Sequence, residues 1–159
     1  MANYWLMKSE LDVYNFDDLV ADGSTHWDGV RNYQARNFMR DKMKLGDYVF
    51  YYHSNTKPPH IAGIAKVCKE SYPDHSQFDV NSKYFDEKAT AENPRWFMVD
   101  IEPVVKFSEL IGLPEVKSHP ELEDMPLVQK GQRLSIQPVS EHEFGFIMAL
   151  RGLDITELE

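Results

Sequence analysis

Apolar residues in this chain gather in short blocks or alternate with polar ones, and turn-forming residues separate the segments. Tyr4-Trp5-Leu6-Met7 reads as a buried first strand that ends where Lys8, Ser9 and Glu10 bring polar groups. Strand alternation puts Lys8 and Glu10 on one face and Ser9 on the other. Asn15, followed by Phe16 to Val20 and stopped by Gly23, predicts a short capped helix with acids in its first turn. Tyr33, Phe38, Met39 and Met43 follow helical spacing behind an Asn32 cap, with Arg40, Lys42 and Lys44 favourably placed near the C-terminal end. A turn over Lys44 to Asp47 leads into the strand Tyr48 to His53. Tyr48, Phe50, Tyr52 and Ser54 share one face of it, and Val49, Tyr51 and His53 the other.

Pro58-Pro59 precedes a second strand, His60 to Val67, predicted to pair with the first across a wide hairpin loop. Gly63 within it permits a bulge or the close approach of another backbone. Tyr72 to Pro94 is polar and too long for a simple connector, which suggests a lid or binding loop. Trp96 to Phe107 predicts a long strand interrupted at Pro103, and Ser108 to Gly131 short helical pieces. Arg133 to Val139 alternates as a half-buried strand, and Ser140 with Glu143 forms a capping-box pattern opening a last helix through Leu150. Strands outweigh helices and no repeat is present, so the expectation is a small α+β domain with a barrel-like sheet.

A length of 159 residues with 42% hydrophobic content suits one domain with a continuous core. The net charge of -9 excludes a protein that coats nucleic acid through its whole surface. A local patch is present: between Val30 and His60, Arg31, Arg36, Arg40, Lys42, Lys44 and Lys57 face only Asp41 and Asp47, which can steer an anion to one face or simply mark a solvated helix. Cys68 is the sole cysteine, so no intramolecular disulfide forms and a small buried thiol in a reducing compartment is expected. With no apolar stretch of about 18 residues and no signal-like N-terminus, the expectation is a soluble, cytoplasmic protein with no membrane partner.

The HEXXH, CXXC, Walker A and GXGXXG patterns are absent, and the six histidines lie in separate segments, so no cofactor and no metal site are expected. Trp27, between Thr25-His26 and Asp28-Gly29, reads as a loop residue without a core slot. It either covers the edge of the core or stacks on a ligand, a contact worth about 1–3 kcal/mol on a nucleobase. Ser9, Asn32, Ser54 and Asn55 offer donors and acceptors to a base edge, although Asn32 and Asn55 equally suit a cap and a turn. Arg31, Arg36 and Lys57 offer phosphate contacts, and Lys8 can meet a phosphate or a carbonyl. An enzymatic reading rests on Lys8, Ser9, Glu10 or His53, since a lysine beside a carboxylate becomes a nucleophile or acid–base group when burial lowers its pKa.

Five blocks carry a resemblance: Tyr4 to Glu10, Trp27 to Asn37, Phe50 to Ser54, Asn93 to Phe97 and Arg133 to Val139. In this order they resemble the EVE domain, a member of the PUA-like superfamily alongside YTH and ASCH domains. The resemblance implies a PUA-like pseudo-barrel of mainly antiparallel strands flanked by short helices, spanning residues 1–153 and followed by an acidic tail over 154–159. It implies non-enzymatic binding of a modified nucleobase in DNA or RNA, much as YTH relatives hold N6-methyladenosine in an aromatic cage. By position, Trp27 becomes a cage wall, Ser9 and Asn32 contact the base edge, and His53, Ser54 and Asn55 line the pocket with Lys8. Arg31 and Arg36 contact the sugar-phosphate or fix the loop beneath the pocket. The second wall comes from Phe78, Tyr84, Phe85 or Trp96. Leu11 departs from the commoner pattern, in which Pro follows the Lys-Ser-Glu block. Two rivals are an amidohydrolase-like enzyme on a modified nucleoside, using Lys8 and Glu10 as ASCH relatives do, and a nucleoside sensor. A monomer is the default expectation.

Overall fold

The computed structural model describes residues 3–131 and 134–158. Arg133, expected at the start of the last strand, lies outside the described residues. Six strands, β1 (Tyr4–Glu10), β2 (Thr25–His26), β3 (Tyr48–Ser54), β4 (His60–Pro73), β5 (Phe97–Gly112) and β6 (Ile136–Val139), form one sheet in the order β2-β5-β4-β3-β1-β6. β1 runs parallel to β3 and the remaining pairings are antiparallel. The sheet is open, with the two shortest strands at its edges, where few unpaired backbone groups are left to template aggregation.

Unbroken apolar runs in β1 and β3 are explained by cover on both faces of the sheet. Trp5, Met7, Val49 and Tyr51 point into one cluster, closed by Phe16 and Leu19 of α1 (Phe16–Asp22) and Ala35 of α2 (Tyr33–Asn37). Leu6, Phe50 and Tyr52 point into the other, with Val116 of α3 (Leu113–Lys117) and Phe144, Ile147 and Met148 of α4 (Glu141–Ala149). The alternation predicted for residues 48–54 therefore divides the chain between two cores.

Helix starts follow the predicted chemistry. Asn15 accepts from the Asp18 N–H at 2.8 Å while the Asp18 carboxylate accepts from the Asn15 N–H at 3.0 Å, and Ser140 and Glu143 form the same reciprocal box. Gly23, at φ 82°, ends α1 as a left-handed cap. The helix expected from Asn32 to Met43 begins at its Asn32 cap but widens into a π turn over Phe38–Lys42, where the Met43 N–H reaches back to Phe38 O. The wider turn keeps both Met39 and Met43 in the core and sets Phe38 against Trp5 at 5.3 Å. Both long strands extend beyond their expected limits, and β5 passes Pro103 with register shifts. Cys68 is half-buried. The acidic C-terminal segment is packed down: Ile155 and Leu158 lie against the second core and Leu158 O accepts from Tyr48.

Gly63 illustrates close approach. The register of β3 and β4 slips between Tyr51 and Tyr52, and a methyl added at Gly63 would lie 2.5 Å from Val105 O and 2.8 Å from Phe16 Cζ. Gly63→Ala is expected to lower stability by about 1–3 kcal/mol through overpacking. Urea denaturation reads this directly, and an unchanged midpoint would mean that the sheet yields at no cost.

Candidate functional site

The parallel register pairs Lys8 with Tyr52, Ser9 with His53 and Glu10 with Ser54, so the polar ends of β1 and β3 lie side by side. A cleft of about 670 Å³ opens at that end of β1, within the range of small-ligand sites. It is lined by Lys8, Ser9, Glu10 and Tyr14 together with the 25–31 segment, which includes Trp27 and Arg31. Lys83 and Tyr84 of the long loop and Ser135 complete the lining.

Trp27 is not a free loop residue. It continues edge strand β2, its N–H donates to Val99 O at 2.8 Å, and its ring stands edge-on to Tyr51 at 5.5 Å and 83°. Tyr51 is itself fixed, donating its hydroxyl to Tyr14 O at 2.7 Å, and burial pushes that phenol's pKa up. Trp27 thus packs on the core edge and lines the cleft at once.

Arg31 clamps two segments together. Nε and Nη2 donate to Tyr84 O at 3.1 and 2.7 Å, Nη2 also donates to Ser76 Oγ at 3.1 Å, and Nη1 donates to Val30 O at 2.9 Å and Asp74 Oδ2 at 3.2 Å. A guanidinium has five N–H donors, so every donor of Arg31 is spent within the protein. It fixes the loop beside the cleft and keeps none for a phosphate. Gly29, at φ +80°, allows the fit: a Cβ there would lie 2.6 Å from the Tyr84 ring. Tyr84 is the candidate second-wall residue that the cleft includes. Phe78 and Phe85 are exposed outside the lining, and Trp96 is buried against Tyr33 at 4.9 Å with its indole N–H on Asp86.

The other expected site residues are engaged elsewhere. Asn32 accepts from the Ala35 N–H at 3.0 Å as the cap of α2. Arg36 lies over the Tyr33 ring at 4.7 Å and donates to Arg95 O and Asn37. His53 is buried: Nε2 accepts from the Phe16 N–H at 3.1 Å and Nδ1 meets His60 Nε2 at 2.8 Å. Ser54 Oγ donates to Ser9 O at 3.5 Å, whereas Asn55, at φ 58°, and Lys57 sit exposed in the hairpin loop; none of these three lines the cleft.

Lys8 is half-buried, which lowers its pKa, and its ammonium lies 5.8 Å from the Tyr52 ring centre. Burial likewise raises the Tyr52 phenol to about 12. Among the described residues no ion pair joins Lys8 to Glu10. Tyr14, Lys83 and Ser135 are cleft residues that sequence reading missed: Lys83 and Ser135 carry no local sign of cleft partners so distant along the chain, and Tyr14 lies just past the Tyr4 to Glu10 block. The 72–94 loop is zipped shut internally: buried Gln77 donates to Asp74 O and Trp96 O and accepts from the Arg95 and Trp96 N–H groups. No helix among the described residues is long and apolar enough to cross a membrane.

The EVE domain model matches residues 3–150. Human thymocyte nuclear protein 1 is 45% identical, with 94% of this chain and 74% of that protein covered. The crystal structure of a Pseudomonas syringae protein matches with a TM-score of 0.89 at 50% identity, covering 93% of this chain and 99% of that one. The human THYN1 protein crystallised in complex with 5-methylcytosine containing DNA matches with a TM-score of 0.89 at 43% identity, covering 96% and 99% respectively.

Proposed function

This chain belongs to the EVE domain family, with its PUA-like α+β fold, and from that premise we propose that it binds DNA carrying a modified base, holding the base in the cleft between Trp27 and Tyr84. The observation that carries the reading is the seating of Trp27. A large aromatic face at the cleft, pinned through its backbone to β5 and edge-on to Tyr51, is preorganised to stack without paying to order itself. The human relative solved with 5-methylcytosine containing DNA makes a modified cytosine the first base to test.

Taking a base out of a duplex costs a few kcal/mol, which stacking on Trp27 and polar contacts from Ser9 and Lys8 would offset. Backbone affinity would come from cations with donors to spare, Lys83 at the cleft and Lys57 in the hairpin loop, rather than from Arg31. A catalytic role for Lys8 and Glu10 has less support, since the two form no pair and Glu10 is exposed.

Trp27→Ala is expected to weaken binding to an oligonucleotide containing 5-methylcytosine by about 1–3 kcal/mol, roughly 5- to 150-fold. Fluorescence anisotropy at fixed salt, against the unmodified DNA and the matching RNA, measures it, with thermal melting to confirm folding. Equal affinity for modified and unmodified strands, or for wild type and variant, would sink the proposal.

A further inference from the structure

Three metal-ligating side chains with no role in the reading above converge at the rim of the cleft. His26 and Asp28 lie two residues apart where β2 runs on into the Trp27 segment, and His75 comes from the 3-10 turn following β4. The Asp74 carboxylate, accepting from the Gly29 N–H at 2.7 Å, draws that turn against the 26–29 segment. One ligand atom from each of His26, Asp28 and His75 lies within 4.8 Å of the others, and the two imidazoles meet edge to face at 5.0 Å. All three residues are exposed, and among the described residues none of their side chains forms a hydrogen bond or ion pair.

We propose that His26, Asp28 and His75 bind one divalent first-row transition-metal ion of the zinc class. Two imidazole nitrogens and one carboxylate oxygen suit zinc or cobalt, whereas calcium and magnesium select oxygen-only shells. Bonds of about 2.1 Å in a tetrahedral site place donors roughly 3.4 Å apart. Exposed side chains without hydrogen bonds reach that separation by rotamer adjustment alone, because the Asp74 carboxylate on the Gly29 N–H already holds the two segments together. Three protein ligands leave a further coordination position open to solvent. His26 and Asp28 also line the cleft, so a bound ion adds positive charge at its mouth, where phosphates of an entering strand would pass. That last consequence rests on the DNA reading; the metal site does not.

Tag-free protein, stripped with chelator, is titrated with Co²⁺ and followed by its visible absorption, then with Zn²⁺ by calorimetry. The expected result is one ion per chain, with affinity falling tenfold or more in His75→Ala and in Asp28→Asn while thermal melting is unchanged. His142→Ala, outside the cluster, is expected to bind as wild type does. Absence of saturable Co²⁺ binding, or equal binding by wild type and His75→Ala, overturns the site. Metal binding that persists where no DNA binds would leave the ion site standing and the DNA reading refuted.

Discussion

Asp74→Ala is expected to lower the free energy of unfolding by about 3–5 kcal/mol, because it strands a partly buried guanidinium. The Asp74 side chain is 0% exposed and that of Arg31 22%. Its two oxygens accept from the Gly29 N–H at 2.7 Å, Arg31 Nη1 at 3.2 Å, the Ser76 N–H at 2.8 Å and the Ser76 hydroxyl at 2.5 Å. Burial alone would raise this carboxyl's pKa, but the hydrogen bonds from Ser76, Gly29 and Arg31 outweigh it and hold the group below the usual carboxylate value. Removing the carboxylate leaves those donors without an acceptor in a place water hardly reaches, which is where the penalty arises. Urea denaturation measures the loss. Arg31→Met removes the cation instead, so the double variant should lose less than the two single losses together, by about 0.5–3 kcal/mol of coupling. Strict additivity, or a wild-type midpoint in Asp74→Ala, would show that the zipped 72–94 loop is held by Gln77 without the clamp.

The same network shows where sequence reading reaches its limit. Alternation over residues 48–54 made the two faces of β3 legible, since side-chain direction in a strand depends only on local geometry, but the single continuous core expected from size is divided by the sheet into two. Caps at Asn15, Asn32 and Ser140 were equally legible, because donor and acceptor lie three residues apart. Arg31 was visible as a cation next to an aromatic-rich loop, but its acceptors on Asp74, Ser76 and Tyr84 lie more than 40 positions away in sequence. Whether an arginine reads a phosphate or braces a loop depends on those distant acceptors. Trp27 divides in the same way: its aromatic character was plain, yet β2 is too short for periodicity to reveal the strand that orients it. His53 is the instructive case: it shares a strand face with Val49 and Tyr51, both core residues, yet the sequence suggests a catalytic or pocket-lining side chain, whereas the fold buries it. Convergence of His26 and Asp28 with His75 had no local signal, since the two segments meet only through the fold.

Acidification from about pH 8 to about pH 5 is expected to remove about 2 kcal/mol of stability through His53 alone, approaching roughly 3 kcal/mol below pH 4. His53 is 3% exposed, and its Nε2 accepts from the Phe16 N–H, so the neutral ring must carry its proton on Nδ1 and donate it to His60 Nε2. His60 Nδ1 then donates to Pro58 O at 3.0 Å, which completes a chain with one proton at each step. A second proton on His53 has no acceptor, because it would point at the Phe16 N–H. Burial, reinforced by His60 and only partly opposed by Asp17, brings the His53 pKa from 6.5 down to about 4. The unfolded chain therefore binds the extra proton first, and stability falls as pH drops below the unfolded value, levelling off below the folded one. Asp74 acts in a lower window, because its depressed pKa sustains stability that is lost only as pH falls below the ordinary carboxylate value. His53→Gln keeps an acceptor for Phe16 and a donor for His60 but does not titrate. The measurement is the slope of unfolding free energy against pH from about 7 to about 5 in both proteins. A wild-type slope averaging about 0.9 kcal/mol per pH unit over that range, steepening to about 1.2 near pH 5, that flattens in His53→Gln supports the buried neutral ring; equal slopes would assign the acid sensitivity to other groups.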